Sequence, residues 1–396
     1  MVSGVDEFST EPTPFIPRQE YALRIERLKE GMRGQKLDAI LLGTGMNLQY
    51  FSGFPSPARN VARPFFLVVP ANGDPVLITH IAFGYDCEHL AVTQDIRTYK
   101  ELAQVPISAL LPVLDEVKAH FGRIGMELGF EQSLDLSQFE FLRLQEALAG
   151  AELIDVASLL WRLRMIKSAS EIDCIRHACD IVARGYSSTF AASRVGMNER
   201  TIFRVMQNEL FVLGSDTFLV STSGEGNYDM ISKPADDRTV LEGDMVWMDA
   251  GCRVDGYWSD YSRAAVAGSP SDAQNSTQAA IAKITADTIA EIRPGKRCSE
   301  IARFALERLA QLDVPITSSL AERAARIGHG IGLNMTEPPH LGLHDDTVLE
   351  PGMVVSVEPG VATRYGTFHV EEDVVVRDGE CEILSTSPRT LQIIAS

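Results

Sequence analysis

The sequence lacks several patterns by which common protein classes are recognised. No apolar run approaches the ~18 residues that a membrane-spanning helix needs. There is no GxSxG nucleophile elbow and no glycine-rich fingerprint of a phosphate or dinucleotide site. The six cysteines are dispersed and none forms a CxxC pair, so we expect reduced, mostly buried thiols. These absences argue against a membrane protein, a serine hydrolase, a nucleotide-binding fold and a structural zinc site.

Positive charge is also scarce. Lysine and arginine together number 36 against 54 aspartates and glutamates, which gives a net charge of −18. An acidic surface repels phosphate backbones and anionic lipid, so nucleic acid and membranes are not expected partners. The first residues carry no basic segment followed by an apolar one, as a secretory signal would. We therefore expect a cytoplasmic protein that acts on a small molecule.

The length of 396 residues suits two domains. Residues 1–18 are rich in Pro, Ser, Thr and Glu and predict a loosely held arm. Residues 19–157 alternate strand-like runs such as "DAILLG", "FFLVVP" and "RIGMEL" with helical segments near 107–120 and 134–148, which predicts an α/β domain. Residues 158–396 group helices apart from hairpin-like strands, which predicts an α+β domain with an antiparallel sheet.

The second domain is expected to open with a long helix. Ser168 and Glu171 have the spacing of a capping box, and apolar residues recur at helical spacing from Ile172 to Val182. Further helices are predicted near 274–292 and 297–312. The strand candidates around them are "VWMDAGC", "YSRAAVAG", "MVVSVEPG" and "EEDVVVRDG".

Acidic residues lie at or near the ends of these apolar strands, where an unpaired carboxylate is costly. The glycines between Asp249 and Asp260 suit a hairpin that brings the two carboxylates to one cavity. Glu358 and a glutamate of the "VEEDV" run follow on later strands, and "GHGIGL" presents His329 from a glycine-rich turn. Four oxygen donors with one imidazole fit two divalent ions such as Mn, Zn, Co or Fe, which can activate a bridging water.

The motifs "MDAG", "DGYWSDYSR", "GHGIGL", "EPGMVVSVEPG" and "EEDVVV" together resemble the pita-bread metallohydrolases, the superfamily of creatinase, prolidase, Xaa-Pro aminopeptidase and methionine aminopeptidase. The resemblance covers nearly the whole chain, because "WRLRMIKSASEI" is similar to the junction after the creatinase-type N-terminal domain. It implies an α/β creatinase-like domain followed by an α+β pita-bread catalytic domain. It also implies a homodimer and a dinuclear metal centre held by Asp249, Asp260, His329, Glu358 and Glu372.

For the last of these ligands the sequence offers two adjacent candidates, Glu371 and Glu372. Adjacent strand residues face opposite ways, so only one of Glu371 and Glu372 can reach the centre. The family ligand usually precedes an Asp or Asn that opens the final strand, and Glu372 with Asp373 fits that pattern better. We therefore predict Glu372 as the ligand and keep Glu371 as the alternative.

Two histidines that the family's peptidases use to bind substrate and move protons are missing. Their expected positions hold Ile231 and Thr336. A positioned acid commonly contributes ~10²–10⁴ to the rate when an amine leaves, so this loss argues against ordinary peptide cleavage. Xaa-Pro dipeptidase or aminopeptidase activity remains the alternative, if His340, His344 or His369 replaces them.

Within the superfamily, ectoine hydrolase has the most similar details, namely Thr-Glu in the "MTE" position and a similar "EED" ending. This likeness implies hydrolysis of a C–N bond in a small non-peptide substrate such as a cyclic amidine, with Glu358 as proton relay and Thr336 at the reacting end of the site. The dimethylsulfoniopropionate lyases fit less well, because they carry an Asp where this chain has Gly251. A binding-only relative is expected to lose ligands, whereas all five are present.

Substrate contacts are harder to locate. Arg63 and Tyr50 lie in amino-terminal loops where relatives meet the neighbouring subunit's substrate, and an arginine can clamp a carboxylate bidentately. Trp258 lies between metal-motif residues and offers an aromatic wall. Ile231 is expected to line the same site. For Arg63, Tyr50 and Trp258, ordinary surface or core roles remain open.

Overall fold

The structure is a computed structural model, and it describes residues 13–55, 62–102, 105–117, 122–213 and 217–396. These residues divide into two compact units, one of Ile16–Arg164 and one that contains Met165–Ser396. The boundary falls after Arg164, whereas the sequence places it after residue 157. Most of the predicted arm, residues 1–12, lies outside the described residues.

The amino-terminal unit alternates strands with helices. Its elements, in chain order, are α1 Arg18–Gln35, β1 Ala39–Leu42, α2 Met46–Ser52, β2 Phe66–Pro70, β3 Val76–His80, a 3₁₀ turn Ile81–Phe83, α3 Gly84–Leu90, β4 Asp95–Tyr99, α4 Ile107–Val117, β5 Arg123–Met126, α5 Gln138–Ala147, β6 Glu152–Asp155 and α6 Ala157–Met165, which ends at the boundary.

One mixed sheet organises this unit, in the order β4-β3-β2-β1-β5-β6. Strand β1 pairs antiparallel with β2 and parallel with β5, and β6 extends the parallel half. Strands β1 and β2 are buried throughout, which explains why they read as continuous apolar runs. Apolar residues from the sheet and from α4 and α5 form the core, among them Leu41, Phe66, Leu110, Ile124 and Leu144. The predicted α/β class is confirmed.

The second unit is built of long helices and short antiparallel strands. Its elements are α7 Ala169–Ala192, α8 Glu199–Leu213, β7 Thr217–Ser223, β8 Met245–Val254, β9 Tyr257–Trp258, β10 Tyr261–Ala267, α9 Asp272–Glu291, α10 Cys298–Leu309, β11 Ile316–Ser319, α11 Leu320–Ala324, β12 Gly328–Gly330, β13 Glu337–His340, β14 Val354–Val357, β15 Gly360–Thr363, β16 Gly366–His369, β17 Glu372–Val375, β18 Glu382–Ile383 and β19 Gln392–Ile394.

Within the described residues, two sheets of this unit carry the predicted site. One has the order β19-β10-β8-β7, and the other has the order β13-β12-β14-β17-β18. A smaller sheet has the order β11-β15-β16. Pairing is antiparallel except where β10 meets β19. The predicted α+β class with an antiparallel sheet is confirmed.

Helix α7 follows the sequence pattern closely. Ser168 accepts a hydrogen bond from the Glu171 backbone N–H at 3.2 Å, and the Glu171 carboxylate accepts one from the Ser168 N–H at 2.8 Å, which completes the predicted capping box. The apolar positions Ile172, Ile175 and Val182 are buried. The helix therefore begins where its cap is satisfied and faces the sheet with its apolar stripe.

In the described part of the chain, no helix is long and apolar enough to cross a membrane.

Candidate metal centre and its cavity

A hairpin brings the first two predicted ligands together. Strands β8 and β10 pair antiparallel with Ser262 opposite Asp249, and Asp260 lies just before β10. The chain reverses at Asp255, between β8 and β9. The backbone N–H of Asp260 donates to the Asp373 carboxylate at 2.9 Å, which fixes it beside the second sheet. The hairpin predicted from the glycines is therefore present.

The second sheet supplies the imidazole from its central strands. His329 on β12 lies opposite Ser356 on β14. The two glycines that flank it are needed for this close approach: a Cβ on Gly328 would lie 2.2 Å from the Ser356 carbonyl oxygen, and one on Gly330 would lie 2.4 Å from the Pro338 carbonyl oxygen. The "GHG" motif thus lets neighbouring strands close around His329.

The structure differs from the sequence prediction at the last ligand. The Glu372 carboxylate is buried in ion pairs with Arg263 at 2.9 Å and Arg389 at 2.6 Å, and it accepts a hydrogen bond from Ser385. Glu371 instead lines the cavity that holds the other acids. The structure thus places Glu371, the alternative, beside the other acids, because Glu371 lies before β17 begins and turns the other way from Glu372.

Distances within the cluster suit a shared cation. His329 Nε2 lies 3.5 Å from Asp260 Oδ2 and 3.8 Å from Glu358 Oε1. Its other nitrogen, Nδ1, lies 3.0 Å from the Gly330 carbonyl oxygen, and donation to that oxygen leaves Nε2 as the lone-pair donor. Ligand atoms of Asp260, His329 and Glu371 all lie within 4.8 Å of one another.

The four cavity acids lie close together and are only partly hydrogen-bonded. Each of the four has one buried oxygen without a hydrogen-bond partner among the described residues, namely Asp249 Oδ1, Asp260 Oδ1, Glu358 Oε1 and Glu371 Oε2. Burial and then the neighbouring negative charges raise the pKa of Asp260 and of Glu371 well above the usual range. Burial also raises the pKa of Asp249. Unpaired carboxylate oxygens that repel one another fit divalent cations, so the residues present suit the metal pair that the sequence predicts.

The pKa values of Glu358 and His329 are lowered, in contrast to those of the other three acids. Burial opposes ionisation of Glu358, but a hydrogen bond from His369 and the nearby His329 and Arg326 outweigh it and lower its pKa to about 2. Burial lowers the pKa of His329 to about 4, so the imidazole is neutral at pH 7. A neutral imidazole and an ionised carboxylate are the forms in which these groups bind metals.

The cluster forms one wall of a cavity of about 650 Å³. Ile231 and Thr336, which stand where the peptidase histidines are expected, both line this cavity. His369 lines it too, with Nε2 3.6 Å from Glu358 Oε2 and Nδ1 3.9 Å from Glu371 Oε2. His369 matches no family position in the sequence, yet its imidazole lies beside the cluster.

The other two histidines considered as replacements lie elsewhere. His340 is buried, and its ring lies 3.4 Å from a guanidinium nitrogen of Arg326. His344 is exposed and borders a separate cavity between α10 and α11. Neither belongs to the described lining of the cavity that holds the acids.

Of the predicted substrate contacts in the second unit, Ile231 lines the cavity, whereas Trp258 is not among the described residues that line it. Trp258 is half-buried on β9, and the guanidinium of Arg253 lies 5.1 Å from its ring. Tyr50 is a buried residue of the amino-terminal unit, where its hydroxyl donates to the Leu163 carbonyl at 3.1 Å. Arg63 is half-buried in the same unit. Contacts of Arg63 and Tyr50 with a neighbouring subunit's substrate stay predictions.

Four basic residues of the cavity were not singled out in the sequence: Arg200, Arg204, Lys233 and Arg326. Two of them lie on α8, whose cavity-lining residues follow the spacing i, i+3, i+4 and i+7 from Arg200 to Gln207. That spacing is visible in "ERTIFRVMQNEL". It marks a helix face, although the sequence does not show what the face borders.

Comparison with known proteins agrees with this architecture. Metallopeptidase family M24 matches residues 173–378, and the creatinase/prolidase N-terminal domain matches residues 24–166. An uncharacterised peptidase of Bacillus subtilis, YqhT, is 25% identical over 94% of this chain and 100% of its own length. The Xaa-Pro dipeptidase of Pyrococcus horikoshii is 24% identical over 93% of this chain and 98% of its own.

A similar structure is that of an Xaa-Pro dipeptidase from Bacillus anthracis. It has a TM-score of 0.81 and 25% identity, and the match covers 94% of this chain and 99% of that one. The similarity therefore extends over both units.

Proposed function

The chain belongs to metallopeptidase family M24 and is a C–N bond metallohydrolase, and from this premise we propose that it cleaves short peptides of the Xaa-Pro class. The sequence motifs had favoured a non-peptide substrate such as ectoine. Similarity to proteins named Xaa-Pro dipeptidase or peptidase over more than nine-tenths of the chain supports the alternative instead.

The observation that carries the proposal is the position of His369. A peptidase site needs an imidazole near the reacting bond, and the two usual positions hold Ile231 and Thr336. His369 brings an imidazole to the same cavity, within 4 Å of carboxylates from Glu358 and Glu371. It thereby meets the condition under which the sequence allowed peptide cleavage.

We assign the metal pair to Asp249, Asp260, His329, Glu358 and Glu371. When bound, two divalent ions supply an activated water and a Lewis acid for the substrate carbonyl. The chain's own residues hold the groups around them. Ser356 donates to Glu371 at 2.7 Å, and the Gly330 carbonyl holds His329 with its Nε2 toward the cluster. These contacts fix ligand orientation before substrate arrives.

His369 is held from both sides. Its Nε2 lies 3.0 Å from the Glu358 carbonyl oxygen, and its Nδ1 lies 2.9 Å from the Ser262 hydroxyl. The ring is therefore held at the cavity wall beside Glu358, and its proposed role is to orient that carboxylate.

A second candidate is hydrolysis of a small non-peptide substrate such as a cyclic amidine. The residues that favour it are Ile231 and Thr336, because both face the cavity without an imidazole. The dimethylsulfoniopropionate lyase branch gains no support. A Cβ on Gly251, where that branch carries Asp, would lie 2.1 Å from the Ser259 carbonyl oxygen.

The two candidates are separated by assaying the Mn²⁺- or Co²⁺-loaded protein with Ala-Pro, Gly-Pro and ectoine. We expect turnover of the dipeptides. Ectoine turnover without dipeptide cleavage would establish the second candidate and overturn the first. A folded, metal-loaded protein that cleaves neither would contradict both.

The role of His369 is tested by His369→Ala. We expect dipeptide turnover to fall by about 100-fold with the metal content unchanged, since a positioned imidazole typically contributes ~10²–10⁴. His344→Ala is the matched control, because that residue is exposed on another cavity. Equal activities of the two variants would remove His369 from the mechanism.

Restoring the missing histidine gives the converse test. Thr336→His adds an imidazole to the cavity and is expected to raise Xaa-Pro cleavage relative to the unchanged protein. No gain in a folded, metal-loaded variant would show that His369 already supplies the function.

The predicted homodimer and cytoplasmic location remain proposals. Light scattering of the purified protein checks the homodimer.

A further inference from the structure

A buried ion pair involves the residue that follows Thr336 in the chain. Lys167 Nζ lies 2.8 Å from Glu337 Oε1, and each side chain is 1% exposed. Charges removed from water are costly unless they are closely paired. A buried ion pair adds little stability over apolar side chains of similar volume, so a role in fixing one arrangement of the chain explains it better.

The pair and the cavity lie on opposite sides of the same backbone. Glu337 opens β13, where it lies opposite Gly330 of β12. Thr336, one residue earlier, lines the cavity, whereas Glu337 is not among the described residues that line it. Successive residues of an extended chain point to opposite sides. The ion pair therefore holds the chain from the side opposite to the one that Thr336 presents to the cavity.

The segment 331–336, which joins β12 to β13, forms no helix or strand. Two of its residues, Met335 and Thr336, line the cavity. The Gly332 carbonyl accepts a hydrogen bond from the Trp258 N–H of β9 at 2.9 Å. Because no strand ladder fixes this segment, its position depends on such single contacts and on the ion pair.

The ion pair packs directly against the backbone of this segment. A Cβ on Gly332 would lie 2.5 Å from Glu337 Oε1 and 3.1 Å from Lys167 Cε. The backbone N–H of Asn334 donates to the other carboxylate oxygen, Glu337 Oε2, at 3.4 Å. The glycine thus allows the segment to close around the pair.

The lysine is itself fixed to the strands of the metal centre. The Lys167 N–H donates to the Gly352 carbonyl at 2.9 Å, and Ile166 pairs antiparallel with Met353, just before β14. Strand β14 pairs with β12, which carries His329. The ion pair therefore ties the segment that carries Thr336 to the same strands that hold the imidazole ligand.

We propose that Lys167 and Glu337 are positioning residues, which hold Thr336 in place beside the metal ligands and thereby set the shape of the cavity at its reacting end. Without the pair, the wall that Met335 and Thr336 form has no single position. The inference rests on the proposed function for the bond that is cleaved. The position of the segment is measurable without turnover.

The full-length, Mn²⁺-loaded protein tests the proposal. Each single change to an apolar residue leaves one buried charge unpaired and threatens the fold. Lys167→Met combined with Glu337→Leu removes both charges at similar volume, so this double variant is expected to keep a thermal midpoint close to that of the unchanged protein. Glu337→Gln, which keeps an oxygen acceptor for Lys167, is measured as the milder variant and decides the question if the double variant does not fold.

Hydrogen exchange followed by mass spectrometry reports on the segment directly. We expect amides of residues 331–336 to exchange at least about ten-fold faster in the double variant, and less so in Glu337→Gln, while α7 and β14 keep their rates. Unchanged exchange of residues 331–336 in the folded variants overturns the inference.

Two controls remove charge elsewhere. Arg184→Gln removes one positive charge from α7, where Arg184 is exposed and is not among the described residues that line the cavity. Lys283→Met with Asp287→Leu removes an ion pair of the same length, 2.8 Å, on α9. Neither is expected to change exchange of residues 331–336. Equal acceleration in a control would show that the effect is not specific to the buried pair and would overturn the inference.

Turnover separates positioning from stability. Thr336→Val is made in the unchanged protein and in the double variant, or in Glu337→Gln, and kcat for Ala-Pro is measured in all four proteins. If the pair acts through Thr336, the losses are not additive, because Thr336→Val has little further effect once the pair is gone. Additive losses, or no loss from Thr336→Val in the unchanged protein, overturn the inference. Metal content of each variant, measured alongside, shows that the ligands are intact.

The two readouts separate this inference from the proposed function. If exchange of residues 331–336 depends on the ion pair while no dipeptide is cleaved, only the proposed peptidase activity fails. If dipeptides are cleaved while exchange ignores the ion pair, only the inference fails.

Discussion

Two adjacent glutamates differ in what their carboxylates contact. Glu371 lines the acidic cavity and accepts a hydrogen bond from Ser356 at 2.7 Å, while Glu372 is paired with Arg263 and Arg389. Both are buried to about the same extent, with 1% of each residue exposed. Burial alone therefore does not distinguish a ligand from an ion-pair partner; the charge of the neighbours does.

This pair supplies a matched prediction. Glu371→Gln removes one charged oxygen from the metal site, so we expect loss of bound metal and at least about a 100-fold fall in turnover. Glu372→Gln leaves Arg263 in a buried site without its charged partner, and is expected to cost about 3 kcal/mol of unfolding free energy. Metal analysis and chemical denaturation of both variants check the assignment.

The outcome that contradicts the assignment is the reversed one. If Glu372→Gln lost metal and Glu371→Gln kept it, the ligand would be the residue that the sequence first indicated. Loss of metal in both variants would have to be separated from unfolding, so each is first compared with the unchanged protein by circular dichroism.

Individual site residues were predictable where strand pairing is simple. Asp249 and Asp260 follow from a hairpin whose turn is visible in the sequence, and both reach the cavity. Glu372 was preferred because Glu372 with Asp373 fits the family pattern better, whereas Glu371 lies in the unpaired segment between β16 and β17. The direction in which such a segment turns is set by tertiary contacts, and the two-residue period of a strand does not determine it.

At the scale of elements, α7 shows how a local signal fixes a helix start. The Ser168 hydroxyl satisfies the Glu171 N–H, and the Glu171 carboxylate also accepts from the Tyr257 hydroxyl at 2.8 Å. The cap therefore links the helix to the β8–β9 hairpin that follows Asp249. Its loss is expected to affect stability without touching the cavity.

Ser168→Ala removes the oxygen that accepts the Glu171 N–H, so we expect a loss of about 1 kcal/mol in unfolding free energy. Ser276→Ala is the control. That serine is exposed inside α9, and among the described residues its hydroxyl donates to the Ala273 carbonyl at 3.2 Å, so a change within about 0.5 kcal/mol is expected. Denaturant unfolding of both variants measures the loss. Equal losses of unfolding free energy would show that the capping hydrogen bond does not stabilise the helix.

Periodic helices and apolar strands were predictable, whereas a polar edge strand and a two-residue strand were not. Helices α7, α9 and α10 begin or end within a few residues of their predicted positions. The edge strand β4 was missed because "DIRTY" is mostly polar and half-exposed, without an apolar alternation. Strand β9 has only two residues, and its pairing depends on the turn that precedes it. Such elements are held by tertiary neighbours more than by propensity.

At the scale of the whole molecule, some acidic residues give the surface its negative charge and others form the cavity cluster. The composition alone does not distinguish the two groups. Most of the net charge of −18 is spread along the chain, where salt screens it. Four carboxylates instead share one buried cavity, where neighbouring negative charge raises the pKa of Asp260 and Glu371. Motif order in the sequence predicted this convergence. The basic residues that line the same cavity were not predicted, because they lie outside the metal motifs.

The cavity acids make folding and metal binding depend on each other. Metal ions that bind the native cluster, and the unfolded chain only weakly, stabilise the fold by about 2.7 kcal/mol when present at 100 times their dissociation constant. We therefore predict that a chelator lowers the thermal midpoint of the protein and that added Mn²⁺ restores it. The carboxylates that repel one another without the ions are the physical cause.

Screening of the net charge is a competing explanation, since any salt weakens repulsion across an acidic surface. NaCl at matched ionic strength separates the two, because screening acts without the site whereas site binding needs its ligands. The Mn²⁺ effect is expected to exceed that of NaCl and to disappear in Glu371→Gln while persisting in Arg184→Gln. If NaCl reproduced the shift, or Glu371→Gln kept it, the acids of the cavity would not be the source of the stabilisation.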